Sequence, residues 1–202
     1  MLTVAREYGS GGGRIARSIA ENLGWNLLDR TLMETIAQSA QVDPELARRY
    51  DEQVDSWLHR ISRRGLWHGA FEGVAAVTEA EFLDAETVAA LGRSIIAEAH
   101  TRGNCVIVGR GAQSVLHPCQ DVFHVFIYAP WPDRLARVRE RRPGAGDIEQ
   151  LIRSTDQQRE GYIRVYFGCD WKDPHLYQLM INSALGEDRV AEMIIHAIKI
   201  GL

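Results

Sequence analysis

The chain has 202 residues, 46% of them hydrophobic and 25% charged, a balance that supports a folded domain with a proper core. Its formal net charge of −4 argues against a protein built mainly to hold nucleic acid, although local basic clusters can still grip small phosphorylated ligands. Cys105, Cys119 and Cys169 are widely spaced and form no CxxC pair, so they read as reduced thiols of a cytoplasmic protein and not as a disulfide frame or a zinc site.

No segment offers the roughly 18 apolar residues that a bilayer span needs, and the amino-terminal stretch is not of the signal type, so a soluble, cytoplasmic protein without membrane partners is expected. Residues 2–5 are a short apolar run that ends in the cluster Gly9-Ser10-Gly11-Gly12-Gly13. Ile15, Ala16, Ile19, Ala20 and Leu23 then recur at helical spacing, and Gly24 supplies a stop. The pattern is strand, glycine loop, helix. Residues 25–28 read as a second strand ending at Asp29, which can cap a helix over residues 31–40.

Asp43-Pro44-Glu45 starts a charged helix reaching about residue 64, with Leu46, Tyr50, Val54, Trp57, Leu58 and Ile61 as its apolar stripe. Residues 41–81 carry no strand signal and read as a helical insertion. Trp57 belongs to the helix stripe, whereas Trp67 and Phe71 in a glycine-rich loop are candidates for a contact between subunits. A helix over about residues 84–102 is closed by Gly103. Cys105-Val106-Ile107-Val108 reads as a central parallel strand covered on both faces, leading into Gly109-Arg110-Gly111.

A further strand over residues 122–128 precedes an arginine-rich helix opened by Pro130-Trp131-Pro132-Asp133. Pro143-Gly144-Ala145-Gly146 breaks the chain before a helix over residues 147–167. A last short strand, 179–181, and an amphipathic helix, 188–200, complete the pattern. Strands alternating with helices imply βαβ units and an α/β architecture, one parallel sheet between helices, in a single domain over residues 1–202.

Glycines let successive backbone N–H groups turn toward an anion, and the following helix adds its positive end. Gly9, Ser10, Gly11, Gly12 and Gly13 meet that requirement between a strand and a helix; a plain structural turn is the alternative. The consensus G-x-x-x-x-G-K-[ST] is not met. The loop and helix from Arg14 to Trp25 resemble those of cytidylate kinases. Aligned on that helix, Gly11 takes the last loop glycine, Gly12 stands where lysine is expected, Gly13 where the magnesium-binding Ser/Thr is expected, and Arg6 falls on the first glycine.

Arg-Glu-Tyr-Gly-Ser-Gly-Gly-Gly followed by this helix is similar to the cytidylate kinase-like branch, in which the lysine is commonly absent. Its cation must then come from elsewhere. Arg14 is the first candidate and Arg6 the second; a solvated surface role for Arg14 stays open.

Phosphoryl transfer needs alignment and positive charge more than covalent help, and the planar fork of arginine suits it. Arg110 follows the apolar strand 105–108, where open α/β sheets bind ligands. Its surroundings resemble the Gly-Arg-Asp segment of cytidylate kinases, whose arginine contacts the acceptor monophosphate, with Gly111 in place of the aspartate. Arg134, Arg137, Arg139, Arg141 and Arg142 fall where nucleotide kinases place a lid, about residues 134–165 here, and Arg137 and Arg141 are the two expected to touch phosphate.

Asp156 and Arg159, one turn apart, can brace each other or meet the acceptor; Asp29 can orient substrate, organise magnesium through water, or cap a helix. Tyr166-Phe167-Gly168-Cys169-Asp170-Trp171 is also typical of the branch. The resemblance implies a three-layer P-loop kinase fold and ATP-dependent phosphoryl transfer to a nucleoside monophosphate, CMP first, with ATP and Mg²⁺ as the small-molecule requirements. A nucleotide-binding sensor without turnover, or a kinase of another small metabolite, are the alternatives.

Overall fold

The computed structural model describes residues 1–29 and 79–201. The helices expected over residues 31–40 and 43–64, and Trp57, Trp67 and Phe71, lie outside the described residues.

Strand β1 (Leu2–Arg6) runs into the glycine loop and then α1 (Gly12–Leu23), which Gly24 closes in the left-handed region, at φ 64. Strand β2 is Asn26–Leu28, and helix α2 spans Glu79–Arg102, starting earlier than its sequence pattern suggests. Strand β3 (Cys105–Val108) is followed by a short helix α3 (Ala112–Val115) that no periodicity announces, being one turn long. Strand β4 (Phe123–Tyr128), α4 (Trp131–Arg141) and α5 (Ile148–Phe167) come next. Pro130 precedes α4, and the Asp147 side chain accepts from the Gln150 amide to cap α5. Strand β5 (Leu179–Asn182) and α6 (Glu187–Gly201) end the described chain.

The five strands form one sheet in the order β2-β3-β1-β4-β5, and every pairing is parallel. On one face, Leu2 and Val4 of β1, Val106 and Val108 of β3, and Val125 and Ile127 of β4 pack against Ile15 and Ile19 of α1 and Val190, Ile194 and Ile198 of α6. On the other, Cys105 and Ile107 meet Ile95 and Ile96 of α2, while Ala5 and Phe126 meet Ile163 of α5, Trp171 and Tyr177. The alternation along each strand sends successive side chains to opposite faces, so both sides of the sheet are apolar and both are covered. The result is the three-layer α/β architecture that the sequence pattern implies.

Thr3 and His124 are polar side chains buried within the sheet. Thr3 Oγ1 and His124 Nδ1 lie 2.6 Å apart between β1 and β4, and both residues are buried. Burial pushes the His124 imidazole down to about 4, with the charge of His117 adding to the effect. Among the described residues, no helix is long and apolar enough to cross a membrane.

Candidate functional site

The carboxyl ends of β1, β3 and β4 and the loops beyond them collect nearly all the residues that the sequence singles out. β1 ends at Arg6, and the Glu7 amide still bonds to the Ile127 carbonyl at 3.0 Å, so the strand pairing holds the loop's entrance fixed. Gly9 and Gly11 then take φ values of 82 and 80, the left-handed region that glycine enters without penalty. Ser10 is buried; its hydroxyl donates to the Glu7 carbonyl at 2.9 Å and its own carbonyl accepts from Ser183 Oγ at 2.5 Å. Gly11 is the N-cap of α1 with no side-chain cap, which leaves the first-turn amides of Gly12 and Gly13 directed out of the helix end. A helix start of this kind is suited to an anion.

What covers the loop differs along it. A Cβ on Gly9 would meet the Arg134 carbonyl at 2.9 Å, so this glycine is there because α4 packs on the backbone. A Cβ on Gly11 would meet Glu187 Cδ at 2.9 Å, and one on Gly12 would meet Arg6 Cβ at 2.7 Å. A Cβ on Gly13 would face open space. Flexible side chains, not backbone, therefore lie over the middle of the loop.

Glu187, the first residue of α6, is the anion held at this point. Arg14 NH2 lies 2.5 Å from its Oε1, Arg137 Nε 3.6 Å and Arg141 NH2 3.9 Å. The Arg141 guanidinium is held below its usual range by burial first and by the charge of Arg14 next, while Glu187 pulls the other way. Arg137 also donates to Ser183 Oγ at 3.2 Å and to the Ser183 carbonyl at 3.0 Å, tying α4 to the end of β5. The three arginines named from sequence thus meet around one carboxylate beside the glycine loop. Arg139 and Arg142 are exposed.

Beneath the loop is an ionic network that sequence reading missed. Arg134, 7% exposed, donates from Nε to the Tyr8 carbonyl at 2.7 Å, pairs with Asp156, and stands 3.4 Å from Glu7 Oε2. Asp156 Oδ1 accepts from the Tyr8 amide at 2.8 Å. Glu7 Oε1 is 2.8 Å from Lys172 Nζ. Both polar groups of Tyr8's backbone are therefore held by the α4–α5 pair. Asp156 is placed at the loop's underside, and Arg159 donates to the Arg6 carbonyl at 2.7 Å with its guanidinium 5.6 Å from the Tyr8 ring centre. The signal available in sequence was that Arg134 shares a helical face with Arg137 and Arg141; nothing local pointed to Glu7, Ser183 or Glu187.

Beyond β3, Gly109, Arg110 and Gly111 have φ values of 80, 60 and 71. Three consecutive left-handed residues make a tight turn that presents Arg110, a non-glycine residue in a conformation costly for a residue with a Cβ. A Cβ on Gly111 would meet Phe167 Cδ2 at 2.9 Å, so the phenyl ring fills the space an aspartate would need. This gives the segment 166–171 a physical role: Phe167 packs on Gly111, Cys169 Sγ lies 3.4 Å from Ser114 Oγ, and Trp171 packs edge-on against Phe126 at 5.3 Å. Asp29 closes β2, with Arg17 NH2 3.5 Å from its Oδ2. Among the described residues, His100, Cys119 and Asp121 could together hold a metal ion; they flank the amino-terminal edge of the sheet, where His100 Nε2 lies 2.9 Å from Asp121 Oδ1.

Comparison with known proteins adds three findings. The model of the cytidylate kinase-like family matches residues 1–185. A cytidylate kinase of Methanosarcina mazei is 28% identical over 86 residues; these are 42% of this chain and 48% of that protein, so the chain spans about half the length of the curated relative it matches. Among solved structures, an uncharacterized protein of Eubacterium ventriosum superposes with a TM-score of 0.62 at 20% identity, over 98% of this chain and 97% of that one. A shikimate kinase of Acinetobacter baumannii, in complex with shikimate, gives 0.50 at 18% identity over 98% and 91%. At these identities the structural likeness carries the fold and not the substrate. With its model matching residues 1–185, the chain belongs to the cytidylate kinase-like family.

Proposed function

We propose that this chain is an ATP-dependent kinase that passes the γ-phosphoryl group to a nucleoside monophosphate, with CMP as the acceptor. The observation that carries the reading is the convergence of Arg14, Arg137 and Arg141 on one carboxylate directly beside a left-handed glycine loop at the open end of a parallel sheet. A place that holds a carboxylate with three guanidinium groups offers the charge and the forked geometry that a phosphate requires. The Gly12 and Gly13 amides at the start of α1 would hold donor phosphates, and Arg137 and Arg141 from α4 would spread the charge of the transferring group. Arg110, at the end of β3, would hold the acceptor phosphate.

Magnesium, when bound, neutralises charge on the donor oxygens and keeps them in line. Gly13 presents no hydroxyl and the Ser10 hydroxyl donates to the Glu7 carbonyl; Asp29, directly after β2, would be the carboxylate that organises the ion through water. A purified-protein assay tests the proposal. ATP plus CMP should yield ADP plus CDP. If ATP binds and no monophosphate in a panel accelerates its consumption, the kinase reading fails.

A second reading, a nucleotide-binding protein without turnover, is favoured by the Glu187 side chain against Gly11 and by glycine at positions 12 and 13, where the consensus lysine and hydroxyl are missing. Another acceptor is favoured by Phe167 filling the space beside Gly111. The same assay, extended to other phosphorylated and hydroxylated metabolites, separates the three.

A further inference from the structure

Gly12 is the position at which a lysine is expected, and a lysine there would collide with the Arg6 side chain. A Cβ on Gly12 would come within 2.7 Å of Arg6 Cβ and 3.0 Å of Arg6 Cγ, closer than carbon atoms approach. The side chain of Arg6 therefore runs through the volume in which a lysine on residue 12 would begin. It continues across the end of the sheet: a Cβ on Gly109 would meet Arg6 Cζ at 3.2 Å and would overlap its NH1. The guanidinium thus lies against the first residue beyond β3, the strand that pairs with β1. Two glycines, one at each end of the arginine, are there to let it pass.

We propose that Arg6 is the phosphate-loop cation of this chain. Residues 6 and 12 have exchanged roles: glycine and lysine of the consensus are replaced by arginine and glycine, and the positive charge reaches the same crevice from the strand end instead of from the helix start. The inference rests on the kinase reading of the loop and deepens it. It also separates Arg6 from Arg14. Arg14 is on the outer face of α1 with a side chain 57% exposed, whereas the Arg6 side chain runs from the end of β1 past Gly12 to Gly109 beyond β3, at the strand ends that open parallel sheets use for ligands. The Arg6 carbonyl is fixed by Arg159 at 2.7 Å, so the backbone that carries the side chain is itself anchored.

The test uses the full chain with Mg-ATP and inorganic tripolyphosphate as probes in calorimetry, alongside turnover with CMP. Wild type must first bind one of the probes; if it binds neither, the kinase reading fails and Arg6 has no anion to serve. Given binding, Arg6→Gln should weaken it by about tenfold or more and slow turnover by about 100-fold, the scale of losing a charge-stabilising donor. Arg6→Lys should retain part of both.

The decisive variant is the double change Arg6→Gly with Gly12→Lys, which restores the consensus. It should recover binding to within about tenfold of wild type, the equivalent of about 1.4 kcal/mol. Because any Arg6 variant can disturb packing, thermal unfolding is measured in parallel. Gly12→Ala should destabilise the chain in the presence of Arg6 and much less in its absence. Binding and turnover by Arg6→Gln within about twofold of wild type, with unfolding unchanged, would overturn the proposal, as would a folded double variant that binds no better than Arg6→Gly alone.

Discussion

Replacing Arg134 by alanine should cost the fold far more than the loss of a surface arginine. The guanidinium stands between two carboxylates, 3.4 Å from Glu7 Oε2 and paired with Asp156, while its Nε donates to the Tyr8 carbonyl. Its side chain is 8% exposed, and those of Glu7 and Asp156 are 11% and 16% exposed. Removing the cation leaves the acids without the group between them. Glu7 keeps Lys172 at 2.8 Å and the Ala129 amide at 3.3 Å, and Asp156 keeps the Tyr8 amide, so the loss is not that of a wholly isolated charge.

Breaking a buried pair from one side costs about 3–5 kcal/mol, and the partners that remain place this case near 3. That is a large part of a typical stability of about 5–15 kcal/mol. Urea unfolding followed by tryptophan fluorescence, compared between wild type and Arg134→Ala at neutral pH, measures it. Arg139→Ala, at an exposed site on the same helix, should lie within about 0.5 kcal/mol of wild type. If Arg134→Ala changes stability no more than Arg139→Ala does, the buried network is not what holds α4 and α5 to the loop.

Two further outcomes follow from local geometry. Arg110→Gly and Arg110→Ala both remove the side chain, but only glycine relieves φ 60, so the glycine variant should be more stable than the alanine variant by about 1 kcal/mol; equal melting temperatures would refute the strain. His124, held down to about 4 from an ordinary 6.5, is charged far more readily in the unfolded chain, so its share of stability is complete above pH 6.5 and is lost as pH falls toward 4. The slope is about 1.4 kcal/mol per pH unit over that window, and an NMR titration placing His124 between pH 6 and 7 in the folded protein would remove this contribution (about 6.5 being the ordinary value).

The architecture was legible because the short apolar strands and the helical stripes are local signals. Residues 105–108 form a strand buried on both faces, as their uniform apolarity requires, and Ile15, Ile19 and Gly24 mark α1 and its end. The site was legible only as far as its members are sequence neighbours. Arg137 and Arg141 could be named from one helix face, and Gly9 and Gly11 from their spacing. Their anchoring could not. Arg137 meets Ser183, Arg14 meets Glu187, and Asp156 meets Tyr8 across 46, 173 and 148 residues of chain, and no periodicity encodes such pairings. Glu187 in particular reads as an ordinary acid at a helix start, a favourable place for one on dipole grounds alone. The path of the Arg6 side chain across Gly12 is likewise a property of the third dimension.

If the arginine cluster takes phosphate as proposed, Glu187 is its tethered competitor. An anion attached to the protein has an effective local concentration of millimolar order or higher, so a newcomer must outbid it and not merely arrive. A small monoanion exchanges one charge for another and gains little. A polyphosphate tail, which can engage the loop amides and several guanidinium groups together, exchanges one contact for many. On the proposed kinase reading the carboxylate would work as a charge threshold beside the loop, holding Arg14, Arg137 and Arg141 together until a multiply charged ligand replaces it.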